Sequence, residues 1–269
     1  MRITTSCIAA ATILTALLAA SPVGATVTVI GDFTHEHVAR PGERYRGTIV
    51  LRNDGSAPGE VKLYQTDYSF AADGSTDYGQ AGQLPRSNAG WVRLSRDLVT
   101  VPASGTERID YEVQVPTGGG LKGTYWSMVM VEAITQASPE ASADVTVQLT
   151  HSVRYGVQIV TQVGRNDDAA GLSFTNPGLV REDGKRVFVV DVENTGQRWL
   201  RPGLSLELYS QSGTPVGKFQ GTARRLYPGT SVRFKMDLGD IPNGSYLGLV
   251  VADGTGDNLF GANVELEIE

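Results

Sequence analysis

Three histidines are the residues best suited to bind a metal. His35 and His37 alternate, so on a strand both rings project to one face, and His151 is the only other histidine in the chain. If the strands that open and close this half of the chain pair, three imidazoles would meet in a set suited to zinc or copper. The opposing reading is two solvent-facing rings beside Glu36 and one at an unrelated position. Asp73-Gly74-Ser75-Thr76-Asp77 and Asp253-Gly254-Thr255-Gly256-Asp257-Asn258 gather carboxylates of the kind calcium accepts. Neither has an EF-hand loop with its closing Glu, and Asp-Gly is hairpin-turn chemistry. The expectation is therefore no metal and no cofactor.

Trp91, Trp126 and Trp199, with Tyr64, Tyr68, Tyr78, Tyr111 and Tyr125, would suit a stacking platform for sugar rings. Trp126, Met128 and Met130 share one face of an alternating segment, however, and such a file reads as sandwich core. The polar, turn-rich stretch from Asp67 to Trp91, including Gln83-Leu84-Pro85-Arg86-Ser87-Asn88, reads as an exposed binding loop. No nucleophile motif is present: there is no Gly-x-Ser-x-Gly, no Ser-x-x-Lys and no His-Glu-x-x-His. The chain is read as non-enzymatic.

The elements that would position these groups are strands. Period-2 alternation marks Arg46 to Leu51, Val61 to Tyr68, Arg108 to Val115, Tyr125 to Val131, Val187 to Val192, Leu204 to Tyr209, Val232 to Leu238 and Tyr246 to Val251. Between them lie Asn53-Asp54-Gly55, Asp73-Gly74, Gly118-Gly119-Gly120, Asp183-Gly184, Asn194-Thr195-Gly196 and Asn243-Gly244, which account for much of the 32 Gly as turn chemistry. The pattern also repeats. Ile49 to Gly55 followed by Val61 to Tyr64 matches Val190 to Gly196 followed by Leu206 to Tyr209. Pro102 to Thr106, an alternating strand, Pro116 and Gly123-Thr124-Tyr125 then match Pro228-Gly229-Thr230, an alternating strand, Pro242 and Gly244-Ser245-Tyr246. Two copies of one β-sandwich are implied, at about 26–163 and 172–269, joined by a polar linker at 164–171.

Upstream, Met1-Arg2, the apolar run Ile8 to Ala20 and small residues up to Ala25 read as a secretory signal peptide over 1–25. Its removal would take away Cys7, the chain's only cysteine, so the exported protein would rely on packing rather than disulfides. The 23 basic residues are scattered singly against 29 acidic ones, for a formal charge of −6, which argues against a nucleic-acid surface.

The longest regular feature is Val145 to Val160. Val145, Val147, Leu149, Val153, Tyr155, Val157 and Ile159 form one file, with His151 in it, and Thr146, Gln148, Thr150, Ser152, Arg154 and Gln158 fill the other. At about 3.3 Å per residue this run would exceed one sandwich edge. A strand ending in Asn-x-Gly, a Pro-x-x-Gly-Thr turn and a closing Gly-x-Tyr resembles the immunoglobulin-like domains of secreted bacterial proteins, with Trp91 as a candidate core aromatic. The paired domains after a leader, the long strand and Arg154 near its end resemble the periplasmic pilus-assembly chaperones. There is no clear copy of that family's early strand arginine; Arg40, beside Pro41, is the nearest candidate.

That resemblance implies an all-β chain of two tandem immunoglobulin-like sandwiches, located in the periplasm or at the cell surface. It would be a chaperone-like assembly factor holding a secreted or fimbrial partner by strand addition. Val147, Leu149, Val153, Arg154, Tyr155 and Val157 are the expected contact residues. Two alternatives stay open. The long strand could be one or two core strands broken by a bulge at Gly156, and the protein could be a secreted adhesin or cell-wall-binding module, since Gram-positive surface proteins also pair such sandwiches. Such a module would bind glycan or cell wall.

Overall fold

The computed structural model describes residues 25–134, 153–164, 170–254 and 258–269. The leader up to Gly24, the upstream part of the long strand with Val147, Leu149 and His151, and the middle of the linker lie outside the described residues.

The described chain is all-β and forms two sandwiches. The first contains β1 (Val27–Ile30), β2 (Thr34–Ala39), β3 (Arg44–Asn53), β4 (Gly59–Thr66), a small hairpin of β5 (Ser69–Phe70) and β6 (Thr76–Asp77), β7 (Val92–Leu94), β8 (Leu98–Val101), β9 (Thr106–Gln114), β10 (Gly123–Ile134) and β11 (Arg154–Val163). One sheet has the order β1-β3-β9-β7 and the other β2-β11-β10-β4-β8. The second sandwich contains β12 (Leu172–Glu182), β13 (Lys185–Asn194), β14 (Gly203–Ser210), β15 (Pro215–Gln220), β16 (Ser231–Asp237), β17 (Gly244–Asp253) and β18 (Leu259–Ile268), ordered β12-β13-β16 and β15-β14-β17-β18.

Alternation in sequence becomes burial. Ile49 and Leu51 of β3, Val61 and Leu63 of β4, Ile109 and Val113 of β9, Val129 and Val131 of β10, and Val157 and Ile159 of β11 fill the first core. Phe188, Val190, Leu204, Leu206, Phe234 and Val250 do the same in the second. Burying one such side chain stabilises the fold by about 1.5–3 kcal/mol, which explains why the pairing registers are fixed: a one-residue slip would turn each file to the wrong face.

The internal repeat has a physical cause. Asn53 and Asn194 are both fully buried. The Asn53 side-chain oxygen accepts from the Gly55 amide, and its Nδ2 donates to the carbonyls of Ala57 and Val101. Asn194 accepts from Gly196 and donates to Arg198 and Leu226. A buried amide must satisfy both ends, and the Asn-x-Gly corner does so with local backbone in each half.

The sandwiches meet across an aromatic stack. Trp126 and Tyr227 lie 4.6 Å apart at an interplanar angle of 12° and form a separate buried cluster with Val160. Trp126 is thus buried, as its Trp-Met-Met file suggested, but against the second sandwich rather than inside the first. Gly123 marks the closest approach: its φ is 81°, and an added Cβ would lie 2.0 Å from the Gln197 carbonyl oxygen. Only glycine fits there.

Candidate partner-binding edge

In β11 the in-sheet hydrogen bonds and the side-chain faces run in perpendicular directions. On one side β11 pairs with β10 along its whole described length, from Arg154 opposite Glu132 to Val163 opposite Gly123, with no register shift at Gly156. The glycine is required by packing: an added Cβ would meet the Met128 sulfur at 2.2 Å. On the other side, parallel β2 covers only Gln158 to Val163. The first covered amide is Gln158, which donates to the Phe33 carbonyl at 2.8 Å. Residues of the same parity point the same way in a strand, so the backbone groups of Arg154 and Gly156 also face that side. Among the described residues no strand pairs with them there. An unpaired row of N–H and C=O groups is a template for an added strand.

The surroundings of this open half suit such an addition. Val153 is 57% exposed, Ile134 42% and Phe33 44%. Phe33 and the half-buried Tyr155 form a tilted ring pair at 6.2 Å. The Arg154 guanidinium is held in its charged form by the Tyr64 hydroxyl and then by the carboxylate of Glu132. The Tyr155 ring packs against the first core and Val157 is fully buried inside it, so the inward side chains of this strand serve the sandwich itself. What this half leaves exposed is Val153, at the end of the inward file, and the outward Arg154.

β2 begins beside a cleft of about 780 Å³ between the sandwiches, lined by Thr34, Gln158, Tyr68, Phe70, Asp73, Arg224, Arg225, Tyr227, Arg233 and Lys235. Gln158 accepts from the Tyr227 hydroxyl at 2.6 Å and from the Thr34 hydroxyl at 3.3 Å. Arg225 pairs with Glu36, Arg233 with Asp191 and Lys235 with Glu182. Burial at this junction pushes the Tyr227 hydroxyl up to about 12, so it stays a hydrogen-bond donor at any physiological pH.

The histidines are occupied elsewhere. β2 and β11 do pair, but the His35 ring bonds the Tyr111 hydroxyl at 2.9 Å and the Asp32 carbonyl at 3.1 Å. The His37 ring stacks on Tyr45 at 4.1 Å and faces Glu43 at 3.4 Å. Among the described residues no three His, Cys, Asp or Glu side chains come close enough to hold a metal. Asp73 accepts from the Ser75 amide in the β5–β6 turn, a hairpin contact.

The stretch from Asp67 to Trp91 corrects the expectation of a wholly exposed loop. Asp67 is 2% exposed. Its carboxylate accepts from the amides of Gly82, Gln83 and Leu84 and from the Ser87 hydroxyl, so the loop folds around a buried anion. Burial alone would raise this carboxyl, but the Ser87 hydroxyl and the three amides together hold it below the ordinary value. Phe70 packs against the second core, and the Ala72 amide donates to Ser231, so the loop bridges the sandwiches. Sequence reasoning marked Trp199 only as a stacking ring and missed that it meets Glu36 and Arg225 across the same junction; no local spacing links residues so far apart in the chain.

No protein-family model matches the chain, and no curated protein matches it. Similar solved structures include a chain of the chaperone-tip adhesin complex of CFA/I fimbriae, 13% identical over 91% of this chain and 100% of that one, with a TM-score of 0.49. The class 5 fimbriae chaperone CfaA is 13% identical over 90% and 99%, with a TM-score of 0.48. A chain of the CsuC-CsuE chaperone-tip adhesion subunit pre-assembly complex, from archaic chaperone-usher Csu pili of Acinetobacter baumannii, is 10% identical over 90% and 98%, with a TM-score of 0.45. Each of these three solved structures is a fimbrial chaperone or a complex that contains one.

Proposed function

We propose that this chain is a non-catalytic exported protein of the periplasm. It works as a chaperone-like assembly factor, holding a secreted or fimbrial subunit by adding that subunit's strand to the open half of β11. The reading extends to the residues upstream of Val153, where Val147 and Leu149 would continue the apolar file. The observation that carries it is the edge at Arg154 and Gly156, which no strand among the described residues pairs, flanked by exposed Val153, Ile134 and Phe33. Exported proteins normally hide such edges with pairing, bulges or charge, so a bare one calls for a partner. The sandwich boundaries read from the sequence, 26–163 and 172–269, belong to the same proposal.

Arg154→Pro tests the strand-addition step. Proline removes one edge amide at the first residue of the strand, where it is tolerated, and leaves the bonds to β10 intact. Arg154→Ala removes the guanidinium but keeps the amide. When the chain is co-expressed with an exported fimbrial subunit, Arg154→Pro is expected to cut co-purification and subunit yield about tenfold, with Arg154→Ala several-fold milder; one lost hydrogen bond to a desolvated group is of that order. Equal capture by the folded Arg154→Pro chain would overturn the reading.

A further inference from the structure

β2 is a weakly anchored strand in a position that matters. It lies at the edge of its sheet, runs parallel to β11, and buries only Ala39 fully; Val38 is 62% exposed. Hydrophobic burial therefore does little to hold it. Its other ties are the His35 and His37 rings stacked on Tyr111 and Tyr45 and a set of polar contacts, of which the densest is at Glu36. The Glu36 carboxylate accepts from the Trp199 indole N–H at 2.6 Å, from the Gln162 side-chain amide at 3.2 Å and from the Arg225 guanidinium at 3.4 Å. The Arg225 guanidinium in turn sits 3.8 Å over the Trp199 ring. Trp199 and Arg225 belong to the second sandwich and Gln162 to β11. One carboxylate thus pins the covering strand of the first sandwich to the second. Hydrogen bonds to an ionised acceptor are about twice as strong as neutral ones, and several on one carboxylate hold it more firmly than an isolated surface pair does.

We propose that Glu36 is a positioning residue that sets where an added strand must stop on β11. The proposal rests on the strand-addition reading above. With β2 pinned, the amides of Gln158, Val160 and Gln162 are taken, and an incoming strand can use only the edge upstream of Gln158 before it meets Phe33. The matching partner segment is short in this region and ends against an aromatic ring. With β2 released, three more edge amides open and a longer segment can pair. The second sandwich thereby limits the length of strand that the first one accepts.

The test needs no partner, so its failure and the failure of the strand-addition reading are separable. Amide hydrogen exchange is measured residue by residue on the full exported chain carrying Glu36→Gln or Trp199→Phe. The phenylalanine variant removes the indole donor while keeping the ring, which guards against a Glu36 variant that folds poorly. Exchange at Gln158, Val160 and Gln162 is expected to speed up about tenfold in either variant, the scale set by losing a charged hydrogen bond. Exchange at Val157, Ile159 and Thr161, which face β10, should stay unchanged. Unaltered exchange at the β2-facing amides in both variants would overturn the proposal, as would an equal rise on both sides of β11.

Discussion

The two halves of β11 share one strand, one partner in β10 and one file of inward side chains, yet they differ on their free side. Downstream, Gln158 to Val163 is covered by β2 and backed by the Trp126–Tyr227 stack. Upstream, Arg154 to Val157 keeps the core contacts of Tyr155 and Val157 but has no strand beside it among the described residues. The difference shows that a strand can be structural and available at once. Side chains stand perpendicular to the sheet and hydrogen bonds lie within it, so filling the core leaves the edge question open. The Tyr155 and Val157 side chains, expected from the sequence as partner contacts, are thus committed to the first core.

The largest expected contrast between the halves is in stability. Ile159→Ala should cost about 3 kcal/mol, because Ile159 is fully buried and the deletion leaves a cavity. Val153→Ala should lie within about 0.5 kcal/mol of the parent, because its side chain is already in solvent. Urea unfolding of both variants measures the gap, and equal losses would break the comparison.

A smaller effect concerns the bridging loop that supports the covered half. Asp67→Asn keeps the shape but removes the charge that four donors address, and is expected to cost about 2 kcal/mol at neutral pH. The carboxyl is held low in the folded state, so its contribution is fully present above the unfolded value and is lost as pH falls through the folded one. The parent should therefore lose more stability than Asp67→Asn on acidification below about pH 4, the ordinary carboxylate range. Unfolding curves across that range check the sign; parallel losses would contradict it.

How much of this was legible in the sequence follows the reach of each interaction. The strands and the repeat were legible because alternation and the Asn53 and Asn194 corners are local, and a buried Asn dictates its neighbours within a few residues. The eight alternating segments all fall within or across strands of the structure. Trp126 was legible as buried but not as to which body covers it, because alternation separates two faces without saying what lies on the second. The loop from Asp67 looked exposed because it is polar, whereas its polar groups satisfy one another internally. Glu36 gave no signal at all, since its partners Trp199 and Arg225 lie more than a hundred positions away in the chain.

The most direct test of the open edge is amide exchange at Arg154 and Gly156, measured in the chain alone and in its purified complex with a co-expressed exported subunit. In the free chain both amides should exchange at least about a hundredfold faster than Gln158 and Val160, as unpaired edge groups do relative to laddered ones. In the complex they should become as protected as Gln158. Protection already present in the free chain, or absent from the complex, would contradict the claim that this half of β11 is where the partner's strand is added.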